Sequence, residues 1–156
     1  MPYRAFFDRD ENSINGFFTL QDEKGKKLFE RLPARSGQNG YTKTNWLRSR
    51  SPIPFSKWIN KPYRLWLQSV SAGMDHKANG IGEFWPISNT DSMREIHGPY
   101  EGQGRMDIGI HWENDKPGSA GCIVLVSDTP ARREQVKKLF AKLHTIKAQY
   151  IELVVL

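Results

Sequence analysis

The sequence predicts a mainly β fold in one domain, with a single substantial helix, and three observations predict it. Short aromatic and branched runs recur along the chain, set apart by clusters of Gly, Pro, Asn and Asp. Only one stretch carries apolar residues at the helical period. No composition shift, internal repeat or low-complexity tract divides residues 1–156.

The first third reads as a meander. Tyr3-Arg4-Ala5-Phe6-Phe7 is a first strand, and residues 12–16 are a turn in which Asn15-Gly16 signals a hairpin. Residues 17–21 return, residues 22–26 turn again, and residues 27–34 form a third strand. So small a sheet needs something to pack on. Residues 35–62 are rich in Ser, Gly, Asn, Pro and Arg and read as a long loop, with Trp46, Phe55 and Trp58 packing it down. Further strands are expected at 63–70, 84–87, 107–112, 123–126 and 150–155. The helix, about 130–145, follows the strand after Cys122. Asp128-Thr129-Pro130 supplies its cap and an early proline, with Glu134 expected in the first turn. Val136, Leu139, Phe140 and Leu143 then follow at i, i+3, i+4 and i+7.

Composition narrows the function. With 38% apolar residues and aromatics spread throughout, the 156-residue chain is globular, not disordered. No apolar run approaches the roughly 20 residues that span a bilayer, so no transmembrane segment is expected. The N-terminus lacks the basic and apolar regions of a secretory signal. The net charge of +6 comes from 23 Lys and Arg against 17 Asp and Glu, scattered rather than clustered. That is a steering field for anionic partners, not a nucleic-acid footprint. One cysteine excludes an internal disulfide and a Cys-rich zinc site.

Chemistry concentrates in Asp107-Ile108-Gly109-Ile110-His111 and, after a polar turn, Pro117-Gly118-Ser119-Ala120-Gly121-Cys122-Ile123. A nucleophilic thiol needs a base, access to substrate and oxyanion donors. His111 ends an apolar run just before the bend and is the expected base; His97 is the rival. Small residues before Cys122 let a carbonyl approach the backbone, and the Gly121 and Cys122 N–H groups are the oxyanion candidates. Arg105 is a candidate for a substrate carboxylate, and Trp112, Tyr100 and His97 are candidates for the cleft lining. His76 and His144 read as surface residues. His97, Asp107 and His111 are ligand types for zinc, but no compact metal motif is present, and neither metal nor cofactor is expected.

Ile110-His111 followed by Ser119-Ala120-Gly121-Cys122-Ile123 resembles the active-site signature of the L,D-transpeptidase (YkuD-like) catalytic domain, a strand-end His and then Ser/Thr-x-Gly-Cys-apolar. The run from Lys26 to Gly37, the helix after the Cys strand and the closing strand are similar to the family too. The sequence departs at Trp112, where the family commonly has Gly, at Ala120, commonly His, and at Val124, often Arg. His111 and Cys122 are only eleven positions apart, so it is a divergent branch that the chain resembles.

The resemblance implies an L,D-transpeptidase-like β-sandwich or open barrel. It implies acyl transfer on peptidoglycan stem peptides through a Cys122 thioester, with His111 as base and then acid, and with Ser119, Ala120 and Gly121 orienting the site. The outcome would be cross-linking, D-amino-acid exchange or L,D-carboxypeptidase hydrolysis. It further implies a site of action in the periplasm or wall, reached by signal-independent secretion or phage delivery, and an inhibitory or immunity protein as a partner. Two other readings are a catalytically lapsed wall-binding module on the same fold and a basic nucleic-acid-binding β domain. The stretch Tyr63-Arg64-Leu65-Trp66 is the best case for the latter.

Overall fold

The structure, a computed structural model, describes residues 3–38, 51–68, 70–71, 83–113, 119 and 121–156. Trp46, His76, Ala120 and the bend at 114–118 lie outside the described residues.

Eleven strands and one helix are found among the described residues, so the fold is mainly β with one helix, as the sequence predicts. The first three strands are β1 (Arg4–Arg9), β2 (Asn15–Gln21) and β3 (Leu32–Ser36), joined as an antiparallel meander. The first turn lies before Asn15-Gly16, not on it. The Ser13 N–H donates to Asp10 O and the Asn12 N–H to Asp10 Oδ1. Gly16 is instead a strand residue opposite Arg9, where a Cβ would come within 2.3 Å of Asp8 O. Its role is close backbone approach, a second use of glycine in strands.

The later strands are β4 (Tyr63–Trp66), β5 (Val70–Ser71), β6 (Glu83–Ser88), β7 (Glu95–His97), β8 (Gly104–Met106), β9 (Gly109–Trp112), β10 (Ile123–Leu125) and, after the helix α1 (Pro130–Thr145), β11 (Tyr150–Val155). The neighbours run β4-β11-β1-β2-β3-β10-β9-β6, and β4 also pairs with β6 through Arg64↔Ser88 and Leu65↔Ile87. Eight strands therefore close into a barrel, where a sandwich or open barrel was expected. Closure pairs both edges of the sheet and leaves no row of unpaired backbone groups along them. β5 extends the sheet beside β6, and β7 and β8 form a separate hairpin.

Register assigns each strand residue to the inside or the outside, because side chains alternate. Ala5, Phe7, Phe18, Leu20, Tyr63, Leu65, Trp85, Ile87, Ile110, Ile123 and Leu153 face inward and are essentially fully buried. The Tyr63 hydroxyl donates to Pro54 O at 2.8 Å, so its burial leaves no unmet donor.

One mouth of the barrel is plugged by α1. Thr129 caps it by accepting from the Arg132 N–H, and Pro130 opens it. Glu134 lies beyond the first turn and pairs with Lys137 instead. Val136, Leu139, Phe140 and Leu143 are the buried face, as their spacing predicts. The Phe140 ring meets Trp85 at 5.9 Å and Trp112 at 6.4 Å. The other mouth is covered by residues 51–58. Ile53 and Phe55 are buried there, the Ile53 N–H donates to Ser36 Oγ, and the Val155 N–H donates to Ser56 Oγ.

Removing the Phe140 ring should open a cavity between α1 and the two tryptophans. Phe140→Ala is expected to lower unfolding free energy by about 3–5 kcal/mol, read from urea denaturation with an unchanged m-value. A loss below about 1 kcal/mol would mean that the helix does not plug the barrel.

Candidate functional site

The parallel pair β9–β10 builds the site. Its register is Ile123↔Ile110, Val124↔His111 and Leu125↔Trp112. Ile110, Trp112, Ile123 and Leu125 point into the barrel, so His111 and Val124 point outward. Cys122 lies in the bend just before β10, and continuing the register puts it level with Gly109. From a strand spacing of about 4.8 Å and a rise of about 3.3 Å per residue, the two Cα atoms lie on a diagonal of about 8 Å. That is within reach of an imidazole, but no hydrogen bond joins the two side chains among the described residues.

Each group has other partners. His111 Nδ1 lies 2.5 Å from Trp112 O. A carbonyl only accepts, so Nδ1 carries the proton and the neutral ring keeps its lone pair on Nε2. Burial depresses the imidazole pKa below its usual value, and the bond to Trp112 opposes this in part. The ring is therefore neutral at pH 7 and able to accept a proton. Phe84 belongs to the same outer face. Its ring is stacked with His111 at 6.1 Å and lies so close to Gly109 that a Cβ there would meet Phe84 Cζ at 2.5 Å.

The Cys122 thiol is partly exposed, and Sγ lies 3.7 Å from Asp107 O. Burial pushes the thiol up to about 11; the Gly109 N–H and the Arg105 guanidinium pull it down, and Asp107 pushes it up. At neutral pH the group is thus a thiol, not a thiolate. Asp107 holds a left-handed backbone at φ 56°, a conformation that Asp tolerates better than most residues. Arg94 grips its carboxylate through Nε and Nη2 at 2.9 and 3.2 Å, which holds the Asp107 carboxyl below its usual range.

The bend before Cys122 folds around the Ser119 hydroxyl. It donates to Cys122 O at 2.6 Å and accepts from the Gly121 N–H at 3.2 Å and the Gly37 N–H at 3.3 Å. The Ser119 N–H donates to Gly37 O. Ser36 supports the same bend from beneath, donating to Gly121 O at 2.9 Å. Gly121 has φ 113°, which only glycine adopts freely.

Several expected roles change. Ser119 shapes the cysteine turn, and the His111 ring is oriented by Trp112 O instead. The Gly121 N–H, expected to face an oxyanion, is occupied by Ser119 Oγ. Trp112 is no cleft residue: its side chain points into the core against Phe140, because it sits one step from outward-facing His111. Arg105 is 7% exposed and donates to Ser51 O at 3.0 Å, so it offers no open fork to a substrate carboxylate. His97 is exposed at the end of β7 and pairs with Glu95, and Tyr100 is 74% exposed in the turn between β7 and β8. His144 is half-exposed on α1, where it meets Glu83 and the edge of Trp85. Among the described residues, no cluster of three or more His, Cys, Asp or Glu side chains is arranged to hold a metal.

Phe84, Gly109, Ser36 and the ion pair of Arg35 with Glu113 complete the surroundings. Arg35 lies opposite Val124, and its Nη1 meets the Glu113 carboxylate at 2.5 and 2.6 Å. Phe84, Arg35 and Glu113 were given no functional role from the sequence, whereas Ser36 lies in the run that resembles the family's early strand and Gly109 lies in the His111 run. The alternation of Arg35 with the inward-facing Ala34 and Ser36 was the available signal. No family model, curated protein or solved structure matches the chain.

Because folding favours the neutral His111 ring, this group contributes full stability above its unfolded pKa near 6.5. That contribution is lost as pH falls through the lower folded value. Stability of the parent should decline from pH 7 to 5 with up to about 1.4 kcal/mol per pH unit from this one proton. The decline should be shallower in His111→Gln, measured by denaturation across that range. The Asp107 contribution, lost only as pH falls below the normal carboxylate range, falls outside this window. Identical slopes in the two proteins would mean that His111 is not held neutral by burial.

Proposed function

We propose that the protein is a cysteine acyl-transfer enzyme acting on peptidoglycan stem peptides, with Cys122 as nucleophile and His111 as base. The observation that carries this reading is a neutral imidazole protonated at Nδ1 on β9, on the strand beside the one that the lone thiol of Cys122 leads into. The thiol also has two groups that favour thiolate, the Gly109 N–H and Arg105. The resemblance of Ile110-His111 and Ser119-Ala120-Gly121-Cys122-Ile123 to the L,D-transpeptidase signature supplies the substrate class.

In this reading, Nε2 of His111 takes the thiol proton as Cys122 Sγ bonds to the carbonyl carbon of an L,D peptide bond. The C–N bond then breaks, the proton passes to the leaving D-alanine amine, and a thioester remains. An amine acceptor would yield a cross-link or an exchanged D-amino acid, and water would yield a carboxypeptidase product. A proton-holding thiol with a raised pKa favours transfer to a base during attack over a standing thiolate–imidazolium pair. Closing the diagonal between Nε2 and Sγ is then part of substrate engagement.

A lapsed wall-binding module is the second reading, favoured by the missing His111–Cys122 hydrogen bond. Mass spectrometry of purified muropeptides incubated with the protein separates the two. The enzyme reading expects loss of D-alanine or its exchange, reduced more than about a thousandfold in Cys122→Ala with the fold unchanged by circular dichroism. Unmodified muropeptides that nevertheless pull down with the protein would establish the binding module.

Because murein lies outside the cytoplasmic membrane, the compartment should decide the effect on a cell. The protein is expected to be harmless when made in the cytoplasm and damaging when exported with an added signal sequence, and the damage should vanish with Cys122→Ala. Equal growth inhibition in both compartments, or inhibition that survives loss of the thiol, would count against murein and favour a nucleic-acid or pure binding role.

A further inference from the structure

The outer face of β4 and β11 carries an aromatic cluster that the thiol site does not use. Register sets Trp66 opposite Tyr150 and Arg64 opposite Glu152. Leu65, Ile151 and Leu153 are buried, so alternation turns Arg64, Trp66, Tyr150 and Glu152 outward. The two rings lie 5.1 Å apart at 60°. The Arg64 guanidinium lies 4.7 Å from the Tyr150 ring centre and 5.8 Å from that of Trp66. The Trp66 indole N–H donates to Ser88 Oγ at 2.8 Å, which pins the ring and leaves it a face to offer, not a donor. Tyr150 is 39% exposed. Two clefts of about 590 and 690 Å³ flank the cluster and share Arg64, Gln149 and Tyr150, a size that suits a small ligand or one stretch of a polymer. Lys61 and Glu152 line the first, Gln68 and Asp91 the second.

We propose that the β4–β11 face is a carbohydrate site for the glycan strand of murein, a polymer of β-1,4-linked N-acetylated amino sugars, held while a stem peptide of the same polymer reaches Cys122. The choice of sugar rests on the reading of murein as substrate. A pyranose turns a face of C–H bonds to an aromatic ring and a rim of hydroxyls to amides and carboxylates. Trp66 and Tyr150 supply the rings. The side-chain amides of Gln68 and Gln149 make no hydrogen bond among the described residues, and they supply donors and acceptors. Charge points the same way. Arg64 Nη1 donates to Asp91 at 2.9 Å and to Thr90 O at 3.2 Å, and Arg4 pairs with Glu152 at 2.6 Å. Among the described residues this leaves Lys61 as the cation of the clefts without a carboxylate partner. A nucleic acid stacking its bases here would need several such cations for its phosphates. Register sets the reach. Continuing the β4–β6 pairing puts Trp66 level with Pro86, Pro86 pairs with Gly109, and Gly109 is level with Cys122. Three strand spacings make about 14 Å along the wall, which an extended peptide crosses in about four residues. A sugar on the rings and a stem-peptide carbonyl at the thiol therefore fit one repeat of the polymer.

The test titrates the full chain with the β-1,4-linked tetramer of N-acetylglucosamine, which carries no stem peptide, and follows amide and indole NMR shifts. The parent should bind with shifts centred on Trp66 and Tyr150. Trp66→Ala and Tyr150→Ala should each weaken binding about tenfold, and Gln149→Ala, on an exposed side chain, about threefold. The dissociation constant should change less than about twofold between about 50 and 300 mM salt, because the ligand makes no ion pair. A parent that shows no shifts at millimolar tetramer overturns the proposal. So does undiminished binding in a folded Tyr150→Ala protein, which also decides the matter if Trp66→Ala fails to fold, and Gln149→Ala decides it if both ring variants fail. Tighter binding of a single-stranded DNA oligomer through the same residues, falling steeply with salt, would overturn it in favour of nucleic acid. Unmodified muropeptides alongside the expected tetramer binding would refute the enzyme and leave the carbohydrate site standing. Modified muropeptides with no tetramer binding would do the reverse.

Discussion

Pairing of β4 with both β11 and β6 is the constraint on which the molecule depends. β4 is only four residues long, yet it joins the sheet's two ends. With that junction made, every inward side chain from eight strands meets one continuous core, and the helix has a defined mouth to plug. Without it, the sheet would expose two edges and a row of apolar side chains. The barrel also fixes the twist at which β9 and β10 lie side by side, and so the diagonal between His111 and Cys122.

The site occupies the rim opposite the helix, and its polar groups are the ones that the barrel wall cannot satisfy by strand pairing. Ser36 and Ser119 act as paired clamps from two sides of the cysteine turn. Each uses one hydroxyl to satisfy backbone groups that a strand ladder would otherwise have met. The same economy leaves the thiol with two thiolate-favouring neighbours but no direct partner on His111. The arrangement stores the proton on sulfur and a lone pair on Nε2, a state stable in the absence of substrate.

Ser36 from β3 and Ser119 from the bend hold the backbone of Gly121 and Cys122, and the Arg105 guanidinium from β8 packs against Gly121. These bonds support the left-handed backbone of Gly121 at φ 113°, next to Cys122. Phe84 covers the backbone of Gly109 and stacks with His111 on the same outer face.

Local structure was legible in the sequence: the helix with its Thr129 cap and four-residue apolar face, and the strands near 63–66, 84–87, 109–112 and 150–155. Each depends on residues within one element or on a short bend, where periodicity and capping act directly. The sequence misread Asn15-Gly16 as the turn, because glycine serves equally for a tight turn and for close strand approach, and only the partner strand tells which. It placed Trp112 in the cleft because an aromatic beside a catalytic-looking histidine does not announce its face; the register of β9 with β10 sends it inward. It assigned Arg105 to a substrate carboxylate because a guanidinium just before the His strand could bind one in a bidentate way, whereas packing against Gly121 and Ser51 buries it. The sequence by itself determined the helix and most of the barrel strands, though not β7, β8 or the bounds of β3, and where the thiol and imidazole lie along the chain. Closure through β4, the inward or outward sense of each site residue and the burial of Arg105 were decided by tertiary structure, because each is a contact between separate elements with no local signature.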